Sequence, residues 1–244
     1  MIFLELVPRD LQALTEEASQ VLSVFSELSG INIPEISRLN HRSHDAALHL
    51  TQHAITSIPH IRAIDRPLQV TLNLVRHLFL KGITSVLVVG GDIPSNPSVS
   101  VHDVSSVELI ATLKKEIPAM KVYAALDPYR QSLKEELAYS RRKQEAGVDG
   151  FFTQPFFDIR LAEIYLEQLS EAEIFLGTSP VLTEKSLQYW HVRNHVVFPP
   201  SFSLDFEKNA MLSRQLIQLA QDHQQHVYLM PITCPVKHYL DLIF

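Results

Sequence analysis

The chain reads as an α/β protein of the (βα)8, or TIM-barrel, class. Short apolar runs rich in β-branched and aromatic residues alternate from end to end with longer segments of helical period, and eight such runs can be found. Length agrees with that count. With 244 residues, 46% of them hydrophobic and 20% charged, one barrel over residues 1–244 accounts for the whole chain. No repeat, low-complexity tract or linker composition marks a second domain.

Strands are expected at Ile2 to Val7, Gly30 to Ile33, Pro59 to Ile64 and Ser85 to Val89 in the first half. The second half supplies Lys121 to Leu126, Gly150 to Thr153, Glu173 to Gly177 and His226 to Pro231. Between them, apolar side chains recur at helical spacing over Leu68 to Leu80, Ser106 to Ile117, Leu133 to Ala146, Ile159 to Leu169 and Phe206 to His223. Gly82 and Gly147 follow two of these segments as αL caps, and Asp158 precedes a third as an N-cap. The second strand is short, and Val196-Val197-Phe198 is a further strand-like piece that competes for a place in the sheet. An open, doubly wound sheet is the alternative architecture.

Composition excludes several functions. A formal charge of -6 with no long basic run gives no surface for nucleic acid, whose binding needs clustered Lys and Arg. The lone Cys234 rules out an internal disulfide and a four-thiolate zinc site, which suits a reducing, cytoplasmic setting. The first residues carry Glu5 and lack a basic region, unlike a signal peptide, and no apolar run approaches membrane-spanning length. A metal is raised by His41, His44, His49, His53 and His60, of which His49 and His53 share a helix face, but there is no HExxH motif. The predicted sixth strand has no Lys for Schiff-base chemistry, and no Gly-x-Ser-x-Gly elbow suggests a serine hydrolase.

Four polar residues lie on or just after predicted strands: Glu5, His60, Asp92 and Gln154. In a parallel barrel the carboxyl ends of the strands converge on one mouth, where ligands bind. Glu5 interrupts an apolar strand, so it is protonated, matched to a ligand, or paired with a cation such as Arg62. Gln154 ends the strand in Gly150-Phe151-Phe152-Thr153-Gln154-Pro155, where an amide either orients a planar heterocycle or caps a turn. Asp92 follows Gly90-Gly91, whose bare backbone permits close approach of a flat ligand; an Asx-turn is the other meaning. Arg141, Arg142 and Lys143 form a basic cluster that is either a diphosphate site or a solvated helix face.

Taken together, Phe3-Leu4-Glu5-Leu6-Val7-Pro8, Pro59-His60-Ile61, Gly82-Ile83 to Gly91-Asp92-Ile93-Pro94, and Arg142-Lys143 through Gly147 to Thr153-Gln154-Pro155-Phe156-Phe157-Asp158 resemble the methylenetetrahydrofolate reductase family. Gly30-Ile31-Asn32-Ile33-Pro34-Glu35 and His102-Asp103-Val104-Ser105-Ser106 look more like its short bacterial branch. The resemblance implies FAD as cofactor, NAD(P)H as co-substrate and a role in one-carbon metabolism and methionine biosynthesis, with reduction of 5,10-methylenetetrahydrofolate to 5-methyltetrahydrofolate. It places Glu5 on the general acid, Asp92 on a carboxylate beside the flavin, and Gln154 on an amide that contacts folate and nicotinamide. His60, Glu136, Arg142 and Lys143 fall on flavin-binding positions. Departures gather there: Gly90 stands where many members have Arg, Leu126 where an aromatic is common and Tyr139 where Asn is common, which implies weaker FAD binding. The alternative is a flavin-free, folate-binding relative acting as the partner subunit of a methyltransferase; a homo-oligomer is also compatible.

Overall fold

The computed structural model describes residues 1–92, 100–232 and 234–244. Its eight parallel strands are β1 (Ile2–Glu5), β2 (Leu28–Ile33), β3 (Ser57–Arg62), β4 (Ser85–Val89), β5 (Lys121–Leu126), β6 (Gly150–Pro155), β7 (Ile174–Thr178) and β8 (His226–Leu229). They pair in chain order, and β8 returns to β1 in the register Ile2 to Val227, Phe3 to Tyr228 and Leu4 to Leu229. That last pairing closes the barrel and removes the open-sheet alternative.

The helices are α1 (Leu11–Val24), α2 (Ser43–Gln52), α3 (Leu68–Leu80), α4 (Ser106–Glu116), α5 (Leu133–Glu145), α6 (Ile159–Gln168), α7 (Glu184–Gln188), α8 (Phe206–Asp222) and α9 (Val236–Ile243). Local chemistry sets their ends. Asp158 accepts from the backbone N–H groups of Arg160 and Leu161, at 2.8 and 3.2 Å, and starts α6. Ser132 and Glu135 form a reciprocal capping box at the start of α5. Gly82 and Gly147 adopt φ of +93° and +92° past the ends of α3 and α5.

Two apolar layers hold the molecule together. Leu4, Ile31, Ile61, Val88, Ala124, Phe151 and Leu176 face outward from the strands into a continuous core shared with the helices. Phe3, Ile58, Leu87, Tyr123, Phe152, Phe175, Tyr228 and Met230 fill the barrel interior, with Phe152 and Phe175 stacked at 4.0 Å. β2 contributes Gly30 at this level, because a Cβ there would stand 2.9 Å from the Phe3 ring and 2.8 Å from the Thr56 carbonyl oxygen.

The strand-like Val196-Val197-Phe198 is not a strand. It lies in the long connection between β7 and α8, after a π-helical turn at Tyr189–Arg193. The Val196 N–H donates to the Trp190 carbonyl at 3.1 Å, and its side chain is buried with Phe157, Val181 and Trp190. Its apolar character therefore serves a small cluster above the strand ends; the eight-strand ring has no vacancy.

Candidate active site at the barrel mouth

Side chains two apart on a strand face the same way. Glu5 follows Phe3, His60 follows Ile58 and Gln154 follows Phe152, and the lower member of each pair belongs to the interior cluster. Glu5 and His60 consequently face inward, one step nearer the carboxyl ends of the strands; in β6 a register shift between Phe152 and Pro155 interrupts the alternation, and Gln154 is half-buried at the same end of the barrel. The aromatic layer forms the floor beneath them.

Glu5 is the most perturbed of the group. Part of it is open to solvent, but protein surrounds it closely, and this desolvation pushes its pKa up to about 7. The Tyr228 hydroxyl, from the neighbouring β8, donates to Glu5 Oε2 and pulls the other way. Arg62 does not pair with Glu5. Its guanidinium meets Asp65 at 3.3 Å and donates to the Asp92 carbonyl oxygen at 2.6 Å.

His60 has its Nε2 buried without a hydrogen-bond partner among the described residues, and burial pushes its pKa down to about 3. Its backbone carbonyl accepts from Ser43 Oγ, which also donates to Glu35. Glu35 in turn meets Arg42 at 2.9 Å, and Arg42 meets Asp65 at 2.6 Å. The turns after β2, β3 and β4 are thereby tied together by Glu35, Arg42, Asp65 and Arg62.

Asp92 sits at the same end of the barrel, beyond β4, with an exposed side chain. Gly91, at φ +92°, makes the turn there, and a Cβ on it would lie 2.7 Å from Arg62 Nε. Residues 93–99, which include the Ile93 and Pro94 of the sequence motif, are outside the described residues.

The basic cluster divides. Arg141 and Arg142 are exposed on α5, whereas Lys143 is buried and its Nζ donates to the Ala125 carbonyl oxygen at 2.6 Å. Burial pushes the Lys143 pKa down to about 8. Glu136 is also buried; its carboxylate accepts from the Asp127 N–H at 3.2 Å and from Gln131 Nε2 at 2.6 Å. Tyr139 bonds to Ser106 Oγ at 2.6 Å and lies under the Arg130, Arg142 and Lys143 cations. Leu126 belongs to the outer core, so the departure at that position lies on the helix-facing side of β5.

Two further residues belong to this constellation. Asn32, the register partner of Glu5, is fully buried, and neither amide atom has a partner among the described residues. An amide inside an apolar strand is the same signal that singled out Gln154, and it was there to be read. Tyr228 gave no such signal, since tyrosine is ordinary in strands. Among the described residues no three His, Cys, Asp or Glu side chains gather as a metal site; the His49 and His53 rings pack at 5.1 Å. No helix is long and apolar enough to cross a membrane among those residues.

A closed parallel barrel with a carboxyl, an imidazole and a buried amide gathered at the carboxyl ends of its strands, and a second amide on the last turn of β6, has the layout in which (βα)8 proteins hold small molecules. A family model described as methylenetetrahydrofolate reductase matches residues 10–227, and the chain belongs to that family. It is 24% identical over 152 residues to the 5,10-methylenetetrahydrofolate reductase of Buchnera aphidicola subsp. Schizaphis graminum, covering 59% of this chain and 51% of that protein. Against the Salmonella typhimurium enzyme of the same name it is 25% identical over 160 residues, 63% of this chain and 53% of that one. The chain thus matches about half the length of these curated relatives. Among solved structures, 2,3-dimethylmalate lyase superposes with a TM-score of 0.64 at 12% identity, covering 99% of this chain and 78% of that chain. An oxaloacetate acetylhydrolase superposes with a TM-score of 0.63 at 11% identity, covering 98% and 78%. At such identities the likeness is one of fold alone.

Proposed function

We propose that the protein reduces 5,10-methylenetetrahydrofolate to 5-methyltetrahydrofolate, with FAD as cofactor and NAD(P)H as co-substrate. The observation that carries this reading is Glu5, an inward carboxyl at the end of β1 whose pKa is raised to about 7. Such a group holds its proton near neutral pH and can deliver it to the folate ring nitrogen as the five-membered ring opens. Tyr228 orients that carboxyl through the hydrogen bond it donates. Gln154, with one donor and one acceptor function, suits the edge of a pterin.

The residues present fit a flavin. Asn32 and His60 offer buried polar atoms without partners among the described residues, and the Gly90-Gly91 backbone leaves room for a flat ring beside Asp92. Arg142 and Lys143 supply positive charge suited to its diphosphate. When bound, the flavin would relay a hydride from NAD(P)H to the folate.

A second reading, a flavin-free folate-binding partner in methyl transfer, draws on a specific observation. Lys143 and Glu136 are already hydrogen-bonded within the chain. One experiment separates the two. The purified protein, titrated with FAD, should show a bound-flavin absorbance spectrum, and methylenetetrahydrofolate should reoxidise that flavin after anaerobic reduction. Bound folate without any flavin signal would favour the second reading instead.

A further inference from the structure

The side chains of Ile58, His60 and Arg62 stand two apart on β3, and Ile58 belongs to the interior layer, so Arg62 tops an inward column directly above His60. Ile61 and Ala63 belong to the outer core, as this alternation requires. A guanidinium at the rim of a barrel mouth would ordinarily reach into solvent. Here only 10% of the side chain is exposed, because the turn after β4 folds over it. Gly91 makes that turn at φ +92°, and a Cβ there would stand 2.7 Å from Arg62 Nε and 3.1 Å from Nη2. A bare position lets the backbone lie against the guanidinium.

Arg62 also ends a row of alternating charges. Ser43 Oγ contacts the His60 carbonyl oxygen at 2.5 Å, and the Ser43 N–H donates to Glu35 at 2.9 Å. Glu35 meets Arg42, Arg42 meets Asp65 and Asp65 meets Arg62, at 2.9, 2.6 and 3.3 Å. Arg62 Nη2 then donates to the main-chain carbonyl oxygen of Asp92 at 2.6 Å. The row begins on the backbone of one mouth residue and finishes on the backbone of another. Buried ion pairs add little net stability once desolvation is counted. What this row does supply is a fixed separation between His60 and the turn that carries Asp92.

We propose that Arg62 is a positioning residue: aimed by Asp65, its guanidinium fixes the main chain at Asp92, so that the Asp92 carboxylate is presented to the bound ring in one place relative to His60. The assignment rests on the reductase reading above for the identity of that ring. Lysine would not serve, since a compact ammonium lacks the flat fork that meets Asp65 along one edge and the carbonyl along another.

Arg62→Met keeps the length and apolar stem of the side chain and removes its donors. In the folate half-reaction, followed by stopped-flow, it should lower the rate by about tenfold to a hundredfold, the scale on which a misplaced group is felt. Made in an Asp92→Asn chain, the same substitution should change the rate no further, because Arg62 acts through that carboxylate. Equal falls in both backgrounds overturn the assignment, since damage to the fold does not depend on what stands at position 92, and so does an unchanged rate in Arg62→Met. Amide-nitrogen relaxation tests the anchoring without turnover: the backbone order parameter at Asp92 should drop from about 0.85 in the wild type to below about 0.6 in Arg62→Met. An Asp92 as ordered in the variant as in the wild type overturns the proposal whatever the rates. If the wild type leaves methylenetetrahydrofolate unreduced while the order parameter falls as expected, the reductase reading is retired and the anchoring role of Arg62 stands.

Discussion

Glu5 and His60 are pushed in opposite directions by the same cause. Burial disfavours charge, so the carboxyl gains affinity for its proton and the imidazole loses it. For Glu5 the folded pKa lies above the unfolded one, so the stability it gives is fully present below the unfolded value of 4.5 and is lost as pH rises to about 7. Glu5→Gln should therefore be more stable than the wild type at pH 8, by up to about 3 kcal/mol, and no more stable at pH 4. Urea melts at both values check this. His60 has the reverse window: its neutral form is lost from the unfolded chain first, and stability falls as pH drops from 6.5 toward about 3. Under the proposed function, Glu5→Gln keeps the shape of the side chain but has no acid to give. Folate reduction should fall about a hundredfold while flavin reduction by NAD(P)H persists, as read by stopped-flow on each half-reaction. Tyr228→Phe should raise the Glu5 pKa further by removing a donor to the ionised form, and the alkaline limb of the folate half-reaction should move to higher pH. An unmoved limb would assign that limb to another group.

The β5–α5 unit shows how one element aims several groups. The capping box of Ser132 and Glu135 starts α5, Glu136 one position later anchors the loop through Asp127 and Gln131, Tyr139 reaches Ser106 at the start of α4, and Lys143 reaches the Ala125 carbonyl of β5. Three- and four-residue steps on a helix stack side chains on one face, which is why Glu136, Tyr139 and Lys143 act as a set. Ser132→Ala should cost about 1 kcal/mol in stability, the usual scale for an N-cap. Its consequence should extend to FAD binding under the proposed function, because the same cap fixes the start of the helix that carries Arg142 and Lys143. A Ser132→Ala chain with wild-type FAD affinity would show that the helix start is held by Glu136 alone.

Barrel closure depends on the interior aromatics. Phe152 and Phe175 stack, Phe3 and Tyr123 meet both edge-on, and Tyr228 meets Phe152. This floor supports the polar mouth from below, so loss of a ring there should be felt both in stability and in the site. Phe175→Ala is expected to destabilise by about 3–5 kcal/mol, the range for deleting a buried aromatic, and denaturant unfolding measures it. A cost below 1 kcal/mol would mean that the interior collapses around the gap.

Strand and helix positions were readable because their signals are local. Alternating apolar runs, Gly82 and Gly147 after helices, and Asp158 before one act within a turn or two of chain. The strand positions of Glu5, His60 and Gln154 were readable too, because polar residues stand out in apolar strands. The fate of Val196-Val197-Phe198 was not, since its hydrophobicity is the same whether it joins a sheet or covers one. Nor could the chain alone say that Arg62 serves Asp65 and the Asp92 backbone and leaves Glu5 to Tyr228, a residue 223 positions away. Composition and periodicity determined that a barrel forms and which residues interrupt its apolar pattern. Only closure of β8 onto β1 decided which of them meet, because pairing across the barrel depends on register and side-chain reach between strands distant in sequence.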